Sequence, residues 1–220
     1  MATTPKAHRD LRRERQKELI RESILEAALS EFMAKGYHDT GMEAIAARAG
    51  YAVGSLYHYF KGKMDIYMIL HERISDNIEA AIRGIAVSDV SFEEKLQALV
   101  EQHYVSWDIH GSFIMTELVD PPTYNRAEAA RMRQSHHQRF SDLVDLLSGI
   151  MQAGIDRKLL RPMPPKQHTI ALVGLIRAMT MYWEHNPPKP SVAQRSTEVL
   201  DLFYRGAAAP SHTDHRESTI

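Results

Sequence analysis

The sequence predicts an all-α protein in which an N-terminal three-helix helix-turn-helix head precedes a larger C-terminal helical domain. Three features predict this fold class. Apolar residues recur at helical spacing along most of the chain, no stretch keeps the strict alternation of a β-strand, and glycine or proline residues separate the helical stretches. With 220 residues, 44% of them hydrophobic, the chain is long enough to bury a sizeable core.

Composition and charge narrow the possible functions. The chain has no cysteine, which excludes disulfides, thiolate metal sites and cysteine nucleophiles. No run approaches the roughly 18 apolar residues that span a bilayer, and the polar N-terminus does not fit a secretory signal, so we expect a cytoplasmic protein without a membrane partner. Residues 1–63 hold 11 Lys/Arg against 8 Asp/Glu, a formal charge of +3, whereas the remainder carries −4. The basic end is the candidate for a polyanionic partner.

The N-terminal region is predicted to be an arm followed by a helix. Residues 1–15 are polar and basic, and we expect a disordered arm there. A helical pattern follows over residues 16–35, and Gly36 stands where a helix-ending glycine is expected. Thr40 is a good N-cap for the next helix, with Glu43 three residues later as its capping-box partner.

Two short helices come next. The first is predicted over residues 42–49 and ends at Gly50, and the second runs from Val53 to Phe60. Two short helices joined by a tight turn that contains glycine form a helix-turn-helix. We therefore assign a helix-turn-helix domain to residues 16–63.

The rest of the chain is predicted to be helical as far as Gly206. We assign a second domain to residues 64–206 and a disordered tail to residues 207–220. Glycine and proline breaks are expected at Gly111, at Pro121-Pro122, over residues 161–165 and over residues 186–190. They separate helices predicted near residues 64–84, 91–109, 113–119, 123–156, 166–185 and 191–205.

A specific pattern of glycines, aromatic residues and lysines lies within residues 20–70. It consists of Ala49-Gly50, then Gly54-Ser55-Leu56-Tyr57-His58-Tyr59-Phe60, then Lys61 and Lys63. This pattern resembles the DNA-binding domain of the TetR family of repressors. The resemblance covers about a quarter of the chain, and the remainder resembles the family only in its length and helical character.

The resemblance implies a three-helix DNA-binding head and a larger helical body that binds a ligand and forms the dimer. It also implies dimerisation through the last two long helices, near residues 166–185 and 191–205, and release from operator DNA when a small molecule binds. Members often carry Val-Ser-Lys before the Gly-Ser/Thr-Leu-Tyr core, where this chain has Tyr51-Ala52-Val53. Ala52 cannot cap the recognition helix with a side-chain oxygen, which costs about 1 kcal/mol relative to serine.

Candidate DNA contacts follow from what a helix-turn-helix must do. Side chains at the exposed start of the second helix meet base edges, and flanking groups hold phosphates. Alternative structural roles remain open for Thr40 as a helix cap, Tyr57 as a packing residue and His58 as a solvated surface residue. For residues 1–15, a solvated arm and an arm that orders on DNA through Arg9, Arg12, Arg13 and Arg15 both remain open. The candidate contacts in the helix-turn-helix are Thr40, Tyr51, Val53, Ser55, Tyr57, His58 and Lys63.

The predicted helix over residues 166–185 is apolar around most of its circumference. Such a helix is buried on more than one side, which favours a homodimer, although the central helix of a monomeric bundle would show the same pattern. The final helix, near residues 191–205, has a similar apolar surface.

A group of aromatic and histidine residues between positions 100 and 125 is the candidate ligand site. An aromatic pocket with a few polar groups suits a partly apolar organic ligand, whereas an ordinary core would contain the same residue types. The twelve histidines show no metal-ligand spacing, and we expect neither a metal nor a cofactor. The candidate ligand residues are His103, Tyr104, Trp107, His110, Phe113 and Tyr124.

We therefore expect a dimeric DNA-binding regulator, in the form of a repressor that a small ligand releases from operator DNA. The alternative is a helical metabolite-binding protein or enzyme whose DNA-binding head is vestigial. We expect no enzyme, because the chain contains no G-x-S-x-G, P-loop or G-x-G-x-x-G sequence.

Overall fold

The computed structural model describes residues 5–119 and 126–207, and in these ranges we find helices and no strand. None of the helices in the described part is both long enough and apolar enough to cross a lipid bilayer. The described ranges contain eight α-helices, which are α1 (Pro5–Lys35), α2 (Met42–Ala49), α3 (Val53–Leu56), α4 (Lys63–Val87), α5 (Phe92–Val119), α6 (Arg126–Asp156), α7 (Pro165–His185) and α8 (Val192–Ala207).

The basic N-terminal segment differs from its prediction. Residues 5–15, predicted to belong to a disordered arm, form the first three turns of α1. After Pro5, which suits the first turn of a helix, the segment consists mostly of Arg, Lys, Glu, Leu and Ala, which are strong helix formers. The helix propensity of residues 5–15 therefore outweighs their low hydrophobicity, which favoured disorder.

Predicted breaks in the C-terminal part have mixed outcomes. The stretch near residues 161–165 separates α6 from α7, and that near 186–190 separates α7 from α8, as predicted. The predicted break at Gly111 is wrong, because α5 continues through this residue, which is buried within it. A helical glycine costs about 1 kcal/mol relative to alanine, which packing can offset. The predicted break at Pro121-Pro122 lies outside the described residues.

The chain forms two compact units whose limits differ from the predicted domain boundary at residue 63. The first unit takes the chain as far as Asp76 together with the part of α5 that begins at His110. The second unit takes residues 77–109 and the chain from α6 onward. Helices α4 and α5 therefore each contribute to both units, which a division of the sequence into consecutive domains cannot express.

The first unit has an aromatic core. Tyr67 lies at its centre, with ring centroids 5.8 Å from Phe32, 5.0 Å from Tyr37 and 4.8 Å from Phe113. All four rings are buried. Phe32 comes from α1, Tyr67 from α4 and Phe113 from α5, so this aromatic core joins three long helices.

The second unit has a larger apolar core built from α5, α6, α7 and α8. Leu96 and Val100 of α5 are fully buried there, as are Met151 of α6 and Val199 of α8. Leu172 and Ile176 of α7 are also buried, on one side of that helix.

Candidate DNA-binding site

Helix α2 begins and ends close to its predicted limits. It ends at Gly50, whose backbone is left-handed (φ +76°) and whose N–H group points to the carbonyls of Ala46 and Ala47. This conformation favours glycine, and it lets the chain turn sharply into α3. The N–H group of Tyr51 then donates to the Ala46 carbonyl (3.0 Å), which closes the turn of the helix-turn-helix.

Thr40 does not cap α2 with its side chain, so the predicted capping box is wrong. Gly41 occupies the N-cap position, and the Thr40 hydroxyl donates instead to the Gly36 carbonyl (2.8 Å) at the end of α1. A second contact reaches the Glu31 carbonyl at 3.3 Å. Thr40 is 1% exposed, so its hydroxyl ties α1 to α2 inside the protein.

The recognition segment, defined here as Val53–Phe60, presents one buried and one exposed side. Regular α-helix covers Val53–Leu56 only, and tight turns continue it, with the Tyr59 N–H group donating to the Leu56 carbonyl at 2.9 Å. Leu56 and Phe60 are buried. Ala52 at the N-cap makes no side-chain hydrogen bond, as predicted.

The exposed side of the recognition segment carries four of the predicted DNA contacts. Tyr57 is 55% exposed and His58 is exposed, whereas Val53 and Ser55 are half-buried. Tyr51, in the turn before this segment, is also half-buried. These side chains present hydroxyl, imidazole and methyl groups, which can contact phosphates and base edges.

Arg21 of α1 holds the end of the recognition segment, and the sequence analysis missed this role. Its guanidinium donates to the Tyr59 carbonyl (3.4 Å) and lies 4.8 Å from the centroid of the Phe60 ring. A cation over an aromatic face is stabilising by about 0.5–1 kcal/mol at partly exposed sites. Arg21 lies one residue after the partly buried Ile20, where the apolar pattern of α1 begins, but sequence spacing does not reveal a partner 38 residues away.

Lys63 has internal partners, although the sequence predicts a phosphate contact. Its Nζ donates to the Tyr37 carbonyl (2.7 Å) and to the His38 carbonyl (3.2 Å), and it lies 4.3 Å from the centroid of the Tyr37 ring. Partial burial lowers the pKa of Lys63, and the charge of Asp39 opposes this effect. The ammonium group thus braces the loop that leads into α2.

A buried carboxylate joins the end of α1 to α2. Glu31 is 4% exposed. It accepts a hydrogen bond from Arg48 Nε (2.6 Å) and forms an ion pair with Lys35 Nζ (2.7 Å). Both interactions lower the pKa of Glu31, and the one with Lys35 has the larger effect. Its place among the apolar residues of α1 is the signal that marks Glu31 in the sequence, since buried charges need partners.

Three of the predicted ligand residues lie together in the second unit. The Nε2 atom of His103 lies 3.1 Å from the Thr180 hydroxyl, and the His103 ring stacks on Trp107 with centroids 6.2 Å apart. The Trp107 indole N–H donates to Glu184 (2.6 Å). Burial lowers the pKa of His103 to about 4, with a smaller contribution from the positive charges of nearby arginines.

Tyr104 is fully buried beside this pair. Its hydroxyl makes no hydrogen bond in the described part of the chain, and burial raises its pKa to about 12, although the nearby Thr180 hydroxyl favours the phenolate slightly. The guanidinium of Arg195 lies 4.8 Å from the centroid of the Tyr104 ring and forms an ion pair with Asp108. Arg195 is 3% exposed, and its Nε is buried with no hydrogen-bond partner among the described residues. This is a polar cluster inside an apolar core.

The three other predicted ligand residues, His110, Phe113 and Tyr124, are not part of this cluster in the second unit. His110 and Phe113 belong to the first unit, where Phe113 packs on Tyr67. The Nδ1 atom of His110 is buried and has no hydrogen-bond partner within the ranges that the structure describes, and burial lowers the pKa of His110. Tyr124 lies outside the described residues. Where the chain is described, no three His, Asp or Glu side chains converge to hold a metal ion.

The frame formed by α1–α4, with an exposed recognition segment, defines a helix-turn-helix DNA-binding protein. Residues 24–67 match the family model described as bacterial regulatory proteins, tetR family. Over 195 residues the chain is 28% identical to the fatty acid metabolism regulator protein of Bacillus subtilis (strain 168), a match that covers 83% of this chain and 93% of that protein. Residues 24–67 therefore form a TetR-type DNA-binding domain, and the protein is a DNA-binding transcriptional regulator.

Solved structures have the same fold. FadR from Bacillus subtilis in complex with stearoyl-CoA superposes with a TM-score of 0.65 at 24% identity, over 84% of this chain and 98% of that chain. The SmeT–triclosan complex, of the SmeT repressor from Stenotrophomonas maltophilia, has a TM-score of 0.69 at 21% identity, over 88% of this chain and 93% of that chain. The all-α prediction, with a helix-turn-helix head and a helical C-terminal domain, is confirmed.

Proposed function

We propose that this protein is a homodimeric repressor that binds operator DNA through its recognition segment and leaves it when a partly apolar small molecule binds. It acts in the cytoplasm, where its operator lies, and by binding rather than by catalysis. The observation that carries the proposal is the two-sided recognition segment. Leu56 and Phe60 anchor it in the core while Tyr57 and His58 stay exposed, as major-groove insertion requires.

The proposed DNA contacts are Tyr51, Val53, Ser55, Tyr57 and His58. Val53 suits a thymine methyl group, and the hydroxyl and imidazole groups suit phosphates or base edges. We leave Thr40 and Lys63 out of this set, because both side chains have internal partners.

An exposed face of α7 and α8 supports the homodimer. Ile170, Gly174, Ala178 and Tyr182 follow one another at four-residue spacing along α7, and all four are exposed. Ile170 is 48% exposed and Tyr182 56%, while Leu202 on α8 is 48% exposed. Large apolar side chains beside small ones allow two helices to approach closely, and a two-fold dimer presents two heads to two half-sites about 34–36 Å apart or a multiple of that distance.

The proposed ligand is a small molecule with a large apolar part, and the first class to test is acyl-coenzyme A. The relatives named above support this class, since one is a fatty acid metabolism regulator and one solved structure holds stearoyl-CoA. The bound triclosan in another structure supports a second, aromatic class. In this chain, His103, Tyr104 and Trp107 are the proposed contacts, and the Tyr104 hydroxyl, which has no hydrogen bond in the described part of the chain, is available to a polar group of the ligand.

A selection experiment tests the proposal. Purified protein is mixed with sheared genomic DNA from its source, bound fragments are sequenced, and the enriched duplex is used in fluorescence anisotropy at moderate salt. We expect a pair of inverted half-sites and steep salt dependence. Oleoyl-CoA, stearoyl-CoA and triclosan are then titrated with free coenzyme A as the control. Failure to enrich any fragment would refute DNA regulation, whereas unchanged affinity with all three compounds would refute these ligand classes.

A further inference from the structure

The polar cluster of the second unit lies where residues of α5, α7 and α8 meet. At its centre, Tyr104 of α5 is fully buried and Arg195 of α8 is 3% exposed. The Arg195 guanidinium lies 4.8 Å from the centroid of the Tyr104 ring. Buried polar groups are stable only when they are hydrogen-bonded, so each donor in this cluster should have an acceptor.

The donors around these two residues do have acceptors. The Thr180 hydroxyl has one proton and donates it to the Ile176 carbonyl (2.7 Å), so it accepts a hydrogen bond from His103 Nε2 at 3.1 Å. The Trp107 indole N–H donates to Glu184 (2.6 Å). This part of the cluster is therefore complete without a ligand.

Two donors at the centre of the cluster have no acceptor among the described residues. They are the Tyr104 hydroxyl and the Nε–H group of Arg195. A guanidinium group can only donate, and burial raises the pKa of Tyr104 to about 12, so its hydroxyl keeps its proton at neutral pH. A bound molecule that completes the cluster must therefore supply a hydrogen-bond acceptor.

Charges near these two donors disfavour an anion as the acceptor. Asp108 forms an ion pair with Arg195 and so already balances its charge. Burial first, and then the charge of Glu198, raise the pKa of Tyr104 against the opposing effect of Arg195. Arg177, a further cation near the cluster, is exposed, so solvent screens its charge. A carboxylate would bring an unbalanced negative charge into this buried site, whereas an uncharged carbonyl oxygen accepts the same hydrogen bonds without that penalty.

We infer that the Tyr104 hydroxyl and the Arg195 Nε–H group bind an uncharged carbonyl oxygen of the ligand, as found in a thioester, an ester or a ketone. This inference rests on the proposed function and narrows its ligand class. A carbonyl oxygen has two lone pairs, so it can accept from both donors. The site thus selects fatty acyl esters and thioesters over free fatty acids, and triclosan, which has no carbonyl group, does not use it.

Intrinsic fluorescence measures binding at this site, because both tryptophans of the chain lie close to it. Trp107 belongs to the cluster, and the centroid of the Trp183 ring lies 5.5 Å from that of Tyr104. The full chain is titrated with two pairs of compounds that differ only in the carbonyl group. One pair is oleoyl-CoA and its thioether analogue, and the other is methyl oleate and methyl oleyl ether. Wild type should bind the carbonyl compound of at least one pair about 10-fold more tightly than its partner.

Tyr104→Phe tests the hydroxyl, and Tyr204→Phe is its matched control. Tyr204 also has a buried hydroxyl with no hydrogen-bond partner in the described part of the chain. It lies nine residues after Arg195 on α8, about 14 Å along the helix axis. Tyr104→Phe should bind the preferred carbonyl compound about 10-fold more weakly and the carbonyl-free compound as wild type does, whereas Tyr204→Phe should match wild type with both. A purely structural role of the Tyr104 hydroxyl would change both affinities alike.

Oleate tests the preference for an uncharged group, because it carries a carboxylate in place of an ester. Wild type should bind oleate at least about 10-fold more weakly than the preferred carbonyl compound. Asp108→Asn leaves the charge of Arg195 unbalanced, so this variant should reduce or reverse the preference. Tighter binding of oleate by wild type would overturn the inference and indicate an anion site.

Two further results would overturn the inference. One is a wild type that prefers the carbonyl compound of neither pair, which would leave the two donors to a buried water molecule. The other is an equal effect of Tyr104→Phe and Tyr204→Phe. The proposed function is judged separately. If triclosan releases the protein from its selected operator while no carbonyl compound is preferred, only the inference fails, whereas a protein that selects no genomic DNA refutes the proposed function even if the carbonyl compounds bind as expected.

Discussion

Removing the Lys63 ammonium group distinguishes a structural role of this residue, in holding the loop before α2, from a contact with a DNA phosphate. Lys63→Met keeps most of the apolar stem and removes two charge-assisted hydrogen bonds, at 2.7 Å and 3.2 Å, and a cation–π contact at 4.3 Å. Hydrogen bonds to charged groups contribute about 1.5–3 kcal/mol and an exposed cation–π contact about 0.5–1 kcal/mol. Because Lys63 is partly solvated, we expect a loss of about 2 kcal/mol in the free energy of unfolding.

Operator binding supplies the second measurement. A loosened loop before α2 weakens binding by about 10-fold, a change of about 1.4 kcal/mol, while the salt slope stays unchanged because no phosphate contact is lost. Lys61→Met is the matched control for stability, since the Lys61 side chain is exposed and we expect a change below about 0.5 kcal/mol. Urea denaturation and anisotropy at four salt concentrations provide the data. If Lys63→Met instead has a slope of log affinity against log salt that is lower by about 0.9, with an unchanged free energy of unfolding, the structural role is refuted and Lys63 contacts a phosphate directly.

Three further predictions test the second unit and the recognition segment. The pKa of His103 is about 4 in the folded state against a usual 6.5, so its contribution to stability is complete above pH 6.5 and is lost as the pH falls towards 4. At pH 4.5 the loss is about 2–3 kcal/mol. In urea denaturation, His103→Gln should lose less stability than wild type between pH 7 and pH 4.5, and an equal loss contradicts this. In Gly154→Ala the new Cβ would lie 2.7 Å from the buried Phe92 ring, so we expect the free energy of unfolding to fall by about 1–3 kcal/mol. Gly149 lies in a helix with open space around it, so Gly149→Ala should raise the free energy of unfolding by up to about 1 kcal/mol. Equal melting temperatures of the two variants would count against this packing. Tyr57→Ala should weaken operator binding by about 10-fold at unchanged melting temperature because Tyr57 is exposed; if Tyr57→Phe binds as wild type does, the hydroxyl makes no contact.

Local signals in the sequence predicted most of the helices and the helix-turn-helix. Gly36 and Gly50 mark helix ends because a left-handed backbone strongly favours glycine, and both have that backbone here, with φ of +82° and +76°. Such signals depend on the backbone of a few neighbouring residues, so the sequence alone contains them.

Side-chain partners from distant segments were not predictable in this way. Thr40 and Lys63 have residue types that suit a cap and a phosphate contact, yet their polar atoms bond to carbonyls of the α1–α2 connection. Arg21 was missed for the same reason, since its partner is 38 residues away. A sequence pattern gives the type of bond that a side chain can make, but the competing acceptors depend on tertiary packing.

By itself, the sequence determined an all-α chain, the place of the helix-turn-helix and its resemblance to the TetR family, because periodicity, glycine positions and a local motif are properties of consecutive residues. Tertiary structure alone decided that Phe113 packs in the first unit while His103 and Trp107 lie in the second, although all three belong to α5. It also decided which side of α1 faces α2 and which faces α4. Long helices cross from one core to another, and only the packing of the whole chain fixes which neighbours each turn meets.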